Sequence, residues 1–242
     1  MKPIDIFITA YLRPEYTLKT LEYLYSRSDY LYRVWLLDQG GNEWVGMRMK
    51  QDYANFHYIN FGQNLGIHSA WNIALALAEN EYFITSDNDI LIPDLEPDWL
   101  SQLTKFMDER LDYGAISLHP HIFIGINGED PNDPEDVKEA PMCGAVMRIM
   151  RTEAVRKVGG WEHIIEAGRN HEERTISSRL RDAGYKVGRT TRIRAWHEFG
   201  KNWGYPPEFT PEMQKHNGEL DEYVNQFNDK SAYDEKTWLP RI

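Results

Sequence analysis

The chain has 242 residues, 41% hydrophobic and 13% aromatic, enough for one large α/β domain with a sizeable core. Its formal net charge of -11 argues against a general nucleic-acid binder, and it has no run of roughly 18 or more apolar residues that could cross a membrane as a helix. Cys143 is the only cysteine, which excludes an internal disulfide, and the start Met1-Lys2-Pro3-Ile4-Asp5 lacks the zones of a secretion signal, so we expect a cytoplasmic setting.

Ile4 to Thr9 is a β-branched and aromatic run that reads as a first strand. Pro14 opens a helical pattern through Leu18, Leu21 and Tyr25, as proline suits a first helical turn. Val34 to Leu37 reads as a second strand, closed by Asp38 and the Gly40-Gly41 turn. A polar helix and a third strand at His57 to Asn60 follow. Asn64-Leu65-Gly66 then turns into a helix with Ile67, Ala70, Trp71, Ala74, Leu77 and Ala78 on one face. Tyr82 to Ser86 is a fourth strand that runs straight into Asp87-Asn88-Asp89. Trp99 to Leu111 reads as a helix and Gly114 to Leu118 as a fifth strand. Strands alternating with helices predict βαβ units and a mostly parallel sheet, which binds ligands at the carboxyl ends of its strands.

The stretch from His119 to Glu139 is rich in Asp, Pro and Gly and reads as a surface loop, with His119 and His121 at its start as candidate acceptor contacts. Pro141 to Ile149 reads as a returning strand, Thr152 to Val158 as a helix, and His171 to Ala183 as a helix closed by Gly184. Strand-like pieces at Lys186 to Gly188 and Ile193 to Trp196 lead to His197. Between residues 144 and 201 there are 13 Lys and Arg against 7 Asp and Glu. Such an excess is usually a solvated helix face; its sharper reading is a basic wall that meets phosphates.

Three groups carry chemistry. Two carboxylates separated by one residue suit Mg²⁺ or Mn²⁺, although a D-x-D by itself is a common turn; here the preceding strand gives it a site context. His197, past another strand, is a candidate third ligand whose imidazole tilts the preference toward Mn²⁺. Glu172-Glu173 opens a helix and offers a general base. Asn170 with Glu173 also has the form of a capping box, which explains an acid there without catalysis.

In order and spacing, these residues resemble glycosyltransferase family 2, of GT-A fold, over roughly residues 3 to 200. The first-strand loop matches at Ile8-Thr9-Ala10-Tyr11 and Arg13-Pro14, and the second-strand Asp at Asp38. The N-x-G helix opening with a later Asn matches at Asn64, Gly66 and Asn72, and the D-x-D at Asp87-Asn88-Asp89. The acidic pair ahead of R-L-x-x-A-G-Y matches at Glu172-Glu173 and Arg179 to Tyr185, and the late metal-binding His at His197.

The resemblance implies that Thr9, Ala10, Tyr11, Arg13, Asp38, Asn64, Gly66, Asn72, Asp87 and Asn88 bind a nucleotide-sugar donor, with UDP favoured. It implies that Asp89, with Asp87 and His197, holds Mn²⁺ or Mg²⁺, and that Glu173 or Glu172 is the base of an inverting displacement. It also implies one catalytic domain over 1–200, with a donor half at 1–118 and an acceptor half at 119–200, followed by a tail or lid at 201–242. The family's usual Glu-Asp pair is Glu-Glu here, and the Q-x-x-R-W motif and membrane helices of processive synthases are missing, so transfer of a single sugar is expected. The expected acceptor is a glycan, a lipid-linked glycan or another hydroxyl compound, with a polyanion suited to the basic stretch and nucleic acid least favoured. Two rivals remain. A nucleotidyltransferase would need a Gly- and Lys/Arg-rich phosphate loop, which Thr9 to Arg13 is not. A non-catalytic sugar-nucleotide binder would be supported by damage to the D-x-D or the acidic pair, and both are intact.

Overall fold

A computed structural model describes residues 3–121, 135–162, 171–198, 230–232 and 234–238. The strands in chain order are β1 (Ile4–Ala10), β2 (Tyr32–Asp38), β3 (Phe56–Asn60), β4 (Tyr82–Asp87), β5 (Ile90–Leu91), β6 (Tyr113–Pro120), β7 (Val137–Glu139), β8 (Arg148–Arg151) and β9 (Lys186–His197). The helices are α1 (Pro14–Ser26), α2 (Glu43–Asp52), α3 (Ile67–Leu77), α4 (Trp99–Glu109), α5 (Thr152–Lys157) and α6 (His171–Asp182). Among the described residues the strands form one sheet in the order β3-β2-β1-β4-β8-β6-β9-β5, with β7 beside β9.

The two-residue period of the strands builds two cores. Ile4, Ile6, Ile8, Val34, Leu36 and Ile84 face one cluster with Leu21 and Leu24 of α1, Val45 of α2 and Trp99 and Leu103 of α4. Phe7, Leu37 and Phe83 face the opposite cluster with Trp71 and Ala74 of α3, Val155 of α5 and Ile176 and Leu180 of α6. Helices on both faces explain why the central strands are apolar on both sides.

The first four strands are parallel, as the alternating pattern requires. Past β4 the sheet becomes mixed, because β8 runs antiparallel to both β4 and β6. Two sequence expectations change here. The returning strand starts at Arg148 rather than Pro141, and the two strand-like pieces after Lys186 form one strand of 12 residues. β5 and β7, which are 2 and 3 residues long, are too short to leave a periodic signal.

Most of the expected loop, the Asn170 cap and most of the 201–242 tail lie outside the described residues. The described part of the tail packs on the domain. Trp238 is buried with Leu91 and Trp196, and the Tyr23 hydroxyl donates to Glu235 at 2.8 Å. Among the described residues the basic stretch does not form one wall. Arg148 is fully buried, and Arg151 is bound to Glu81 at 3.0 Å. Arg156, Lys157 and Arg181 are exposed.

Candidate functional site

Register fixes the crevice. Ala10 stands opposite Asp38, and Thr9 opposite Asp87, so the first loop and both acidic strand ends share one edge of the sheet. The chain then turns at Asn88 into β5, which pairs antiparallel with the end of β9 so that Ile90 faces His197. That pairing brings His197 to the acids. Ligand atoms of Asp87, Asp89 and His197 lie within 4.8 Å of one another. His197 Nε2 is 3.1 Å from Asp89 Oδ1, and Arg13 Nη1 donates to Asp89 Oδ2 at 3.0 Å.

Electrostatics divide the two aspartates. Burial raises the Asp87 carboxyl well above its ordinary range, and the charges of Asp89, Glu173 and Glu172 add to the rise while Arg13 opposes it. Burial acts on Asp89 in the same direction, but His197 and Arg13 outweigh it and hold Asp89 below the usual carboxylate value. Two carboxylates and an imidazole in this geometry can hold a divalent cation.

Glu173 enters the site from α6. It is buried, and its Oε1 accepts the Ala145 main-chain N–H at 2.7 Å. The Ala145 carbonyl in turn accepts the Asp87 N–H at 3.1 Å, so one residue ties the acidic pair to the D-x-D. Burial raises the Glu173 carboxyl, partly offset by Arg148, the Ala145 N–H, His197 and Arg189. Glu172 is half-buried, next to it on the helix.

Several residues expected to contact the donor have hydrogen-bond partners within the protein. Asp38 is fully buried; its carboxylate accepts the Gly40 N–H at 2.8 Å, the Asn42 amide at 3.3 Å and the Tyr58 hydroxyl at 2.8 Å. Asn88, in the turn between β4 and β5, donates its amide to Thr17 Oγ1 at 2.7 Å. Thr17 donates to Asn42 Oδ1 at 2.6 Å, which joins the turns after β2 and β4 through α1. Asn72 spends both ends of its amide on Trp161, donating to its carbonyl at 2.8 Å and accepting its N–H at 2.9 Å. Asp38, Asn72 and Asn88 are thus each held by partners within the protein.

Ala10 is fully buried, and Thr9 is 5% exposed at the end of β1. Tyr11 is half-buried; its ring lies 3.7 Å from where a side chain on Gly40 would begin. Asn64 Oδ1 accepts the Gly66 N–H at 2.9 Å, a local turn that starts α3. His121 stacks on Trp196, with ring centroids 3.6 Å apart, and its Nδ1 accepts the His197 N–H at 3.1 Å. Burial pushes His121 down to about 2, so it stays neutral and braces the strand that carries His197. Ala145, Thr17, Asn42 and Tyr58 gave no sequence signal, since a main-chain donor or a single polar side chain has no motif.

A sequence profile of glycosyl transferase family 2 matches residues 5–159, well over half of the chain. No curated protein matches it by sequence. Among solved structures, the chain is similar to the mannosyltransferase PcManGT from Pyrobaculum calidifontis in complex with GDP-Man and Mn²⁺ (TM-score 0.66, 16% identity, 83% of this chain and 58% of that one). It is also similar to GalNAc-T7 with UDP, GalNAc and Mn²⁺ (TM-score 0.65, 12% identity, 81% and 43%). A third likeness is to S. aureus TarS 1-349 in complex with UDP-GlcNAc (TM-score 0.64, 15% identity, 94% and 68%). At these identities the likeness is one of fold, and the chain spans only 58% and 43% of the first two proteins.

Proposed function

We propose, because this chain belongs to glycosyl transferase family 2, that it transfers a single sugar from a nucleoside-diphosphate donor to an acceptor hydroxyl by a divalent-metal-dependent, inverting displacement. The observation that carries the reading is the convergence of Asp87, Asp89 and His197 at the strand ends, with Glu173 tied to the same turn through Ala145.

The residues fit a divalent ion. Asp89 and His197 are its direct ligands in this reading, and Asp87 meets it or the donor ribose. The proton-retaining character of Asp87, crowded by three other carboxylates, is what a divalent cation reverses. When bound, Mn²⁺ or Mg²⁺ offsets the negative charge that gathers on the departing diphosphate. Arg13 adds a positive charge at the same edge, on the loop after β1.

Thr9, Tyr11, Arg13, Asn64 and Gly66 are the donor-facing set, while Asp38, Asn72 and Asn88 hold the backbone that carries it. Residues 1–118 serve the donor and 119–200 the acceptor. Glu173 takes the proton of the acceptor hydroxyl during attack, a role worth about 10²–10⁴ in rate. A carboxyl raised above its ordinary value is a stronger base near neutral pH, and its bond to Ala145 fixes one oxygen while leaving the carboxylate its other one.

UDP is the nucleotide we favour, since two of the three similar structures hold UDP or UDP-GlcNAc and one holds GDP-Man. A glycan, lipid-linked glycan or other hydroxyl compound is the acceptor class, and the exposed Arg156, Lys157 and Arg181 suit a polyanionic one. No described helix is long and apolar enough to cross a membrane. The test is a calorimetric screen of UDP, GDP and their sugars with Mn²⁺ and after chelation. We expect one nucleotide class to bind only with metal; metal-independent binding, or none, overturns the reading.

A further inference from the structure

Arg148 lies behind the acids as a fully buried cation. Its Nε and Nη2 donate to Thr85 Oγ1 at 3.2 and 3.1 Å, and its Nη1 to the Cys143 carbonyl at 3.1 Å. Its guanidinium carbon is 4.6 Å from the Trp71 ring centroid and 5.5 Å from that of Trp161. Neutral oxygens and aromatic faces orient a guanidinium without cancelling its charge. Taking such a charge out of water is costly unless an anion answers it, and no carboxylate among the described residues is in ion-pair contact with it.

The segment that Arg148 grips is the one that places the proposed base. Within residues 143–147, the Cys143 N–H donates to Ser177 Oγ at 3.1 Å and the Ala145 N–H to Glu173 Oε1 at 2.7 Å. Ser177 and Glu173 are four residues apart on α6 and so share one face. From the other side, the Ala145 carbonyl accepts the Asp87 N–H, and the Met147 N–H donates to Ser86 Oγ at 3.2 Å. Met147 has a φ of 43°, a left-handed conformation that costs energy for a side chain of this size, so the surrounding bonds must hold it.

We infer that Arg148 is a positioning residue for Glu173: it pins the 143–147 turn that sets Glu173 beside the D-x-D, and it stands behind that turn as a buried cation. This rests on the reading of Glu173 as the base. The titratable and charged groups that act on Glu173 include Arg148 of β8, Arg189 and His197 of β9, Asp87 of β4 and Cys143 of the turn. Of the influences that oppose the effect of burial on Glu173, Arg148 is the largest. Cys143 adds no charge, because burial pushes its thiol up to about 11.

The test reads Glu173 without turnover. The full chain, labelled with ¹³C at the glutamate carboxyls and held in Mg²⁺, is titrated by NMR, with the Glu173 signal assigned by its loss in Glu173→Gln. Arg148→Met should move the Glu173 midpoint upward by about one pH unit, a tenfold change in proton affinity, and Arg148→Lys should restore most of it. If Arg148→Met does not fold, Arg148→Gln supplies the neutral side chain while keeping a donor for Thr85 or Cys143. A midpoint unmoved in a folded neutral variant, or moved equally by Lys, overturns the inference. These outcomes hold whether or not Glu173 is the base, a question that the turnover of Glu173→Gln decides separately.

Discussion

Glu173→Gln separates the two adjacent glutamates. Glutamine keeps an oxygen that can accept the Ala145 N–H, which the native carboxylate accepts at 2.7 Å, so the helix and the 143–147 turn should stay in place. What it loses is the capacity to take a proton. The loss should be about 10²–10⁴ in turnover, which at about 1.36 kcal/mol per factor of ten is roughly 3–5 kcal/mol of transition-state stabilisation. Stability should change far less than turnover. Burial raises the carboxyl of folded Glu173, so its favourable contribution belongs to the protonated form. That contribution is complete below about pH 4.3, the unfolded value, and is lost as pH rises through the folded one. Near pH 8 the neutral amide removes one buried charge but also the anion that answers buried Arg148, so the melting temperature should stay close to that of the native chain. The assay is release of nucleoside diphosphate with Mn²⁺, on the donor and acceptor pair found by screening, beside a thermal melt. Glu172→Gln is the comparator, since successive helical residues point about 100° apart. Full turnover in Glu173→Gln, with the loss carried by Glu172→Gln instead, would refute the assignment.

Native turnover should fall on the acid side through a midpoint above that of an ordinary glutamate, because burial raises Glu173; an acid limb at the ordinary value in the rate profile contradicts this. Asp89→Asn should weaken Mn²⁺-dependent nucleotide binding in calorimetry by more than the roughly 10–100-fold cost of disturbing an outer-shell partner, and binding of native strength would remove the metal site. Asn72→Ala leaves the Trp161 N–H and carbonyl unanswered, so denaturant melts should show a loss of about 1–3 kcal/mol while donor affinity holds. A large affinity loss at unchanged stability would return Asn72 to the donor-binding set. With a polyanionic acceptor, the exposed Arg156, Lys157 and Arg181 should make its KM rise with salt, because such charges are screened within about 8 Å at physiological ionic strength. An acceptor KM that is flat across salt excludes them.

Local chemistry was legible in the sequence wherever it repeats or punctuates. Alternation in Ile4 to Thr9 and Tyr82 to Ser86 encoded the strands and their two apolar faces, because side-chain direction along a strand has a fixed period. The same pattern put Asp38 and Asp87 at strand ends, and the parallel register that follows from βαβ units put those ends on one edge. The helix stripe of Ile176 and Leu180 located α6 and so the neighbourhood of Glu173.

The tertiary structure decided the rest, because the deciding contacts join residues whose separation along the chain carries no periodic mark. His197 reaches Asp89 only because the two-residue β5 pairs with the end of β9. Asn72 and Trp161 meet across 89 residues and Asn88 and Thr17 across 71, and these hydrogen bonds, with those of Asp38, give three of the expected donor residues partners within the protein. Arg148 read as one cation of a basic stretch, but a central strand buried it. The link from Glu173 to Asp87 runs through the main chain of Ala145, and every residue but proline carries the same N–H and carbonyl; only the fold decides where they point.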